Sequence, residues 1–329
     1  MSRLSILMFV VAAACGGHPK PVQTAPLPED KPAQPTPPVA ATKPAPEPEP
    51  PKSAGPVEVT VPANKVSVKL VTPGKGKREA LRYTTKAGDK QKVEVAMDFA
   101  AKQTETGKPP ADQIVPTIVL AGEAETKSID AAGNAVYSLT VSSTDARDVA
   151  GSQLPAEKFK IVLGSLAGLV ISSTLKANGA AGDIILRIEK PTEMSAGALE
   201  LIKMTLPAFP MLPAEPVGVG AKWQATTSAK LADKLDVTQV TDYELVAHKG
   251  TTWTIKGTTK VVGTDQDVGD GAKITGIKGT GTTEATLADG SLYPTTKALL
   301  ETQFTASNPK EGTLQFALKV GGAVTPAKK

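Results

Sequence analysis

The chain has 329 residues and a net charge of +4, from 37 Lys and Arg against 33 Asp and Glu. That charge is too mild and too dispersed for a nucleic-acid reader, and it argues for no particular charged partner. Hydrophobic residues make up 40% of the chain but aromatic ones only 4%, so any core is built mainly from small aliphatic side chains.

Residues 1–17, MSRLSILMFVVAAACGG, begin with a short positive region at Arg3 and an almost unbroken apolar run from Leu4 to Ala14. This is the layout of a secretory signal peptide over residues 1–14, and the run is too short to span a bilayer as a helix. Cys15 ends it. It is the chain's single cysteine, so it has no disulfide partner. The small residues leading into Cys15 resemble the lipobox of bacterial lipoproteins, with Ala12 standing where Leu or Val is usual. The resemblance implies cleavage before Cys15, diacylation of that cysteine, and a membrane anchor held firmly by two acyl chains. Gly16 follows, with no Asp after the cysteine. In enterobacteria-like lipoproteins this favours the outer membrane, periplasmic or surface face left open.

Residues 15–56 read as the lipidated N-terminus and a proline-rich tether. Fourteen of the chain's 28 prolines lie between Pro19 and Pro56, without an aromatic residue among them. Such a segment buries too little apolar surface to offset its ordering entropy. In polyproline II it rises about 3.1 Å per residue and reaches up to roughly 120 Å. A spacer lifting the body off the membrane is the expected role.

From Val57 onward, alternation at period two predicts half-buried strands. Val93, Val95, Met97 and Phe99 fall on one face, with Lys92, Glu94 and Asp98 opposite. Tyr137, Leu139 and Val141 repeat the pattern, as do Ile184, Leu186 and Ile188. The segment Ile161–Ile171 reads as a buried strand pair, with a short helix as the second reading. One helix is expected near 193–206, capped by Thr192, with Met194, Ala198 and Leu201 along one stripe and Pro207 ending it. Pro207, Pro210, Pro213 and Pro216 then make residues 207–216 a stiff connector between a first half, 57–206, and a second half, 217–329. In the second half Trp253 and Ile255 lie in one strand, and Leu314, Phe316, Leu318 and Val320 alternate in another. Turn signals separate the runs at Gly133-Asn134, Asn178-Gly179, Lys249-Gly250 and Asp289-Gly290. The fold class is therefore mainly β, with antiparallel hairpins in a curved sheet, several such sheets, or a half-barrel.

The order of strands, apolar helix, PVGVGAKW and further hairpins resembles uncharacterised bacterial envelope lipoproteins. More loosely it is similar to the half-barrel lipoprotein carriers that cradle acyl chains.

Candidate chemistry is sparse. His18 and His248 are the only histidines, and with Cys15 committed to lipid there are too few ligands for a His/Cys zinc site and no Cys–His nucleophile. His248 reads as an exposed histidine beside a turn. Gly164-Ser-Leu-Ala-Gly168 puts its serine in the wrong place for a nucleophile elbow. Gly218-Val-Gly-Ala-Lys-Trp223 has Trp223 where a dinucleotide fingerprint has its last glycine, so a tight turn feeding a strand fits better, with Trp223 as a core anchor. Asp265, Asp267 and Asp270 form a weak calcium candidate with carboxylates at alternate positions. Gly276 occupies the position of the bidentate Glu, so the segment reads as an acidic surface loop. No cofactor is expected.

The leading expectation is a membrane-anchored, non-enzymatic envelope lipoprotein that displays a structural or interaction domain and contacts other envelope components. The alternative is a carrier or binding module for a lipid or other hydrophobic ligand. An apolar cavity separates the two: a carrier contains one, whereas a scaffold is solidly packed.

Overall fold

The computed structural model describes residues 55–206, 209–231, 235–269, 271–310 and 312–327. The signal peptide, Cys15, His18 and nearly all of the tether lie outside the described residues.

The first half holds β1 (Val57–Val61), β2 (Lys65–Thr72), β3 (Lys75–Glu79), β4 (Lys90–Glu105), β5 (Ala111–Ile114), β6 (Thr117–Ile129) and β7 (Ala135–Arg147). Then come α1 (Ala156–Gly164), β8 (Val170–Leu175), β9 (Ile184–Ile188) and α2 (Ser195–Thr205). The second half holds β10 (Val217–Val219), β11 (Lys222–Leu231), β12 (Leu235–Lys249) and β13 (Thr252–Val262). It ends with β14 (Gln266–Gly269), β15 (Ala272–Ala288), β16 (Thr295–Asn308) and β17 (Gly312–Pro326). The protein is mainly β, and every ladder is antiparallel.

One sheet takes fifteen strands, in the order β1-β9-β8-β7-β6-β4-β17-β16-β15-β13-β12-β11-β2, with β5 beside β4 and β14 beside β15. β3 and β10 form a separate pair. The two halves of the chain share the large sheet. β17 pairs with β4 from Leu314 opposite Glu105 to Pro326 opposite Val93, and β2 pairs with β11.

The covalent chain forces this sheet to curl. Laid flat, thirteen strands about 4.8 Å apart would put the first and last roughly 60 Å from each other. Those two edges are β1 and β2, and residues 62–64 alone connect them. Val61 and Lys65 are therefore at most about 14 Å apart. The sheet wraps round until its edges approach, yet no ladder joins β1 to β2 among the described residues, so it is not closed into a barrel.

Alternation sets which side chains point inward. On β4, Val93, Val95, Met97 and Phe99 are buried while Lys92 and Asp98 are exposed. Tyr137, Leu139 and Val141 on β7 are buried likewise, as are Leu186 and Ile188 on β9. The expected turn glycines all adopt left-handed backbone: Gly133, Gly179, Gly250 and Gly290 have φ of 80°, 91°, 57° and 74°. At Gly179 the absent side chain matters twice, because a Cβ there would also lie 2.4 Å from the Pro210 carbonyl oxygen.

Two expectations need correction. The apolar run Ile161–Ile171 is not a strand pair. It is the end of a second helix, a turn, and the start of β8. Helix α1 begins after Pro155, where the Asp148 carboxylate accepts the Ala156 amide at 2.8 Å. It buries Phe159 and Leu163 and leaves Ile161 68% exposed. Gly168, at φ 75°, then reverses the chain so that Leu166 and Leu169 also enter the core. Short apolar runs carry no period of their own, which is why helix and strand were both readable here. The second correction is local. The helix expected near 193–206 is α2, but Thr192 does not cap it. Met194 holds the cap position without a side-chain bond, and the Ser195 hydroxyl accepts the Thr192 amide at 2.8 Å and donates to the Ser165 carbonyl at 3.0 Å.

The connector is packed from Phe209 to Pro213, whereas Ala214, Glu215 and Pro216 are exposed. Tyr83 Oη donates to the Pro210 carbonyl at 3.1 Å, and Trp223 Nε1 donates to the Met211 carbonyl at 2.6 Å. The Leu212 amide donates to the Asn178 carbonyl at 2.8 Å, and Leu212 is fully buried. Arg82 donates to the carbonyls of Pro213 and Ala214 at 2.8 and 2.5 Å. A segment this rich in proline joins no helix or ladder, so its carbonyls accept from the tyrosine, tryptophan and arginine packed beside it.

Candidate functional site

The buried residues fall into two hydrophobic cores. The larger gathers α1, α2 and the inward faces of β4, β6, β7, β8 and β9. The smaller holds Leu235, Val237, Val261, Ile274, Ile277 and Phe304, with Phe316 and Leu318 against it. Between them lies a cavity of about 1100 Å³. Met97, Leu120 and Tyr137 wall it on the side of the larger core, and Leu235, Val237 and Phe304 on the side of the smaller.

The wall composition is uneven for this chain. Phe99, Phe209, Phe304, Phe316, Tyr137 and Tyr293 all line the cavity, although the whole sequence has six Phe, four Tyr and two Trp. Met97, Met204 and Met211 line it too, half of the six methionines. Aromatic rings supply large apolar surface, and Met adapts its shape to what it touches. Phe209 and Tyr293 sit 5.2 Å apart between ring centres, and Tyr293 meets Tyr137 edge-on at 5.8 Å. Burial raises the hydroxyls of Tyr137 and Tyr293 above the usual phenol value, so both stay protonated and neutral.

The rim is polar and carries both signs of charge. Glu200 and Lys203 come from α2 and stand 3.7 Å apart. Lys230 and Asp236, on the facing ends of β11 and β12, pair at 2.7 Å. Lys65 and Asn64 join them at the link between β1 and β2, beside Val61, Pro62 and Ala63. The Ala63 amide donates to the Asp183 carboxylate at 2.8 Å, which holds the 62–64 link in place at the rim.

Of the residues singled out by sequence, Cys15 and Asp270 lie outside the described residues. Asp265 and Asp267 accept the backbone amides of Gly276 and Gly269, at 3.3 and 2.9 Å. Among the described residues no group of three or more His, Cys, Asp or Glu is placed to hold a metal ion. His248 is not an exposed turn residue. It is half-buried at the end of β12, its ring stacked 3.5 Å from Trp253 and its Nε2 3.9 Å from the Glu79 carboxylate. Gly218–Trp223 is the tight turn into β11, with Gly220 at φ 80° and Trp223 only 1% exposed.

Helix α2 reaches the cavity through Glu200, Lys203 and Met204. The run Ile161–Ile171 contributes Ile171 alone, its leucines being committed to the packed core. Phe209 and Met211, from the proline-rich connector, were not singled out from sequence. The available signal was the placing of Met and Phe at inward positions in a chain with few aromatic residues.

A family model described only as a family of unknown function (DUF6263) matches residues 187–290, about a third of the chain. No curated protein matches it. Among solved structures, the outer membrane protein OprG from Pseudomonas aeruginosa is similar at 10% identity and a TM-score of 0.18, over 74% of this chain and 98% of that one. So low a score carries no argument about fold or activity.

Proposed function

We propose that this protein is an envelope lipoprotein whose β-rich body binds and carries a hydrophobic ligand in the cavity between its two cores. The observation that carries the reading is the 1100 Å³ space walled by half of the chain's methionines and half of its aromatic side chains. Protein interiors are close-packed, with few voids larger than a water molecule. A space this large that opens at a polar rim is a binding pocket rather than a packing defect, and its mainly apolar wall is better matched by a ligand's hydrocarbon than by water. The two phenols in the wall, Tyr137 and Tyr293, are kept neutral by burial, and the charged groups that line the cavity are the lysines and carboxylates of the rim.

A scaffold that only displays a surface has no use for such a cavity, which is why the carrier reading stands ahead of the interaction-protein one. The anchor at Cys15 and a tether reaching up to roughly 120 Å would hold the body near membrane lipid and let it travel between surfaces.

Native mass spectrometry of the full chain purified from its own host, followed by solvent extraction, tests the reading. We expect one apolar molecule per chain, retained less in Met204→Trp, whose indole takes up part of the space beside α2. A clean apo mass for wild type would return the protein to the interaction reading.

A further inference from the structure

We infer that the ligand is a glycerophospholipid with a zwitterionic headgroup, its acyl chains between the two cores and its phosphate and amine at the rim. The inference rests on the carrier reading above and specifies what is carried.

Size is the first ground. The cavity lies just above the usual range of about 300–1,000 Å³ for small-molecule pockets, which suits a two-chain lipid better than a single small apolar molecule. Most of its wall is apolar, Met97, Leu120, Phe304 and Phe316 among the lining, so hydrocarbon is accommodated there.

Charge at the opening is the second. The rim presents the ammonium groups of Lys65, Lys203 and Lys230 and the carboxylates of Glu200 and Asp236. They are paired: Glu200 with Lys203 on α2, and Lys230 with Asp236 at the ends of β11 and β12. A headgroup with a net negative charge gains from the lysines but meets two carboxylates, and like charges brought together oppose binding. A phosphate beside an amine matches both signs, the phosphate on an ammonium and the amine on a carboxylate. Each partner then exchanges one charge-assisted bond for another as the lipid enters. A ligand with no head would leave the rim pairs as they are and gain nothing from them. Specificity of this kind comes from the repulsive contacts as much as from the attractive ones.

The deep end agrees. Tyr137 and Tyr293 are neutral phenols in an apolar wall, offering neither a cation for an inward-facing carboxylate nor an anion for an inward-facing amine. The charged end of the lipid therefore belongs at the rim.

The test uses the full chain in mixed micelles holding equal amounts of phosphatidylethanolamine, phosphatidylglycerol and palmitate. Native mass spectrometry after detergent exchange reads which lipid stays bound. Phosphatidylethanolamine should be retained over phosphatidylglycerol by about fivefold, the scale of a few rim charge contacts. Glu200→Gln combined with Asp236→Asn should shift the preference toward phosphatidylglycerol, because each change removes a carboxylate that opposes an anionic headgroup. Equal retention of the two phospholipids, or a preference for phosphatidylglycerol or palmitate in wild type, overturns the headgroup inference and leaves the carrier reading standing. Retention of no lipid of any class overturns the carrier reading as well.

Discussion

Met204→Trp separates a real cavity from a well-packed interior by the sign of its effect on stability. Met204 is half-buried on α2 and faces the cavity. In a packed core, enlarging a side chain forces strain and costs about 1–3 kcal/mol. Here the indole has space to occupy, and on the order of 50 Å² of added apolar surface at about 25 cal/mol per Å² stabilises by about 1 kcal/mol. For a chain this size that raises the melting temperature by about 2 °C. Ligand response moves the other way. A ligand at 100 times its Kd stabilises the wild type by about 2.7 kcal/mol, and a variant whose indole takes ligand space should gain less than that. The assay is thermal unfolding of the full chain, alone and with N-phenyl-1-naphthylamine, a neutral apolar probe whose fluorescence reports binding. A variant that melts several degrees lower and still binds the probe as wild type does would show that the space beside Met204 is already occupied by protein. The protein would then hold no ligand beside α2.

Trp223→Ala should be among the most damaging single changes. The ring is 1% exposed, stacks on Tyr243 at 5.6 Å, and supplies the donor for the Met211 carbonyl. Loss of about 4 kcal/mol is expected in urea unfolding, and Trp223→Phe, which removes the donor but keeps a ring, should cost about 2 kcal/mol; equal effects would mean that packing matters little there. All four tyrosines are buried, and burial pushes their hydroxyls above the ordinary phenol value near 10. The folded state thus favours the neutral phenol, so the stability these groups contribute is complete below pH 10 and drains away as pH rises beyond it. Absorbance titration should show phenolate appearing together with unfolding, and reversible ionisation near pH 10 in a folded chain would contradict the burial. Cys15→Ala should leave the membrane fraction, and wild type alone should take up labelled fatty acid; a variant still in the membrane beside an unlabelled wild type would remove the anchor from the reading.

Local chemistry made much of this protein legible from its sequence alone. Period-two alternation placed Val93, Val95, Met97 and Phe99 on the inward face of β4, because side chains on a strand point to opposite sides whatever the rest of the chain does. The hairpin turns at Gly133, Gly179, Gly250 and Gly290 were readable because glycine alone adopts left-handed backbone at no steric cost. Trp223 as an anchor and a helix ending before Pro207 were readable on similar grounds. The helix at Ala156–Gly164 was not, because the apolar run that follows Phe159 carries no distinguishing period, and its start depends on Asp148, eight residues upstream of the amide it caps. The cavity was decided by tertiary structure alone. Its walls come from β4, β7, β12, β16, β17, α2 and the connector, far apart in the chain. What brings them together is the curl of a sheet whose two edges are tied by residues 62–64, and no short window of sequence contains both the tie and the strands it bends.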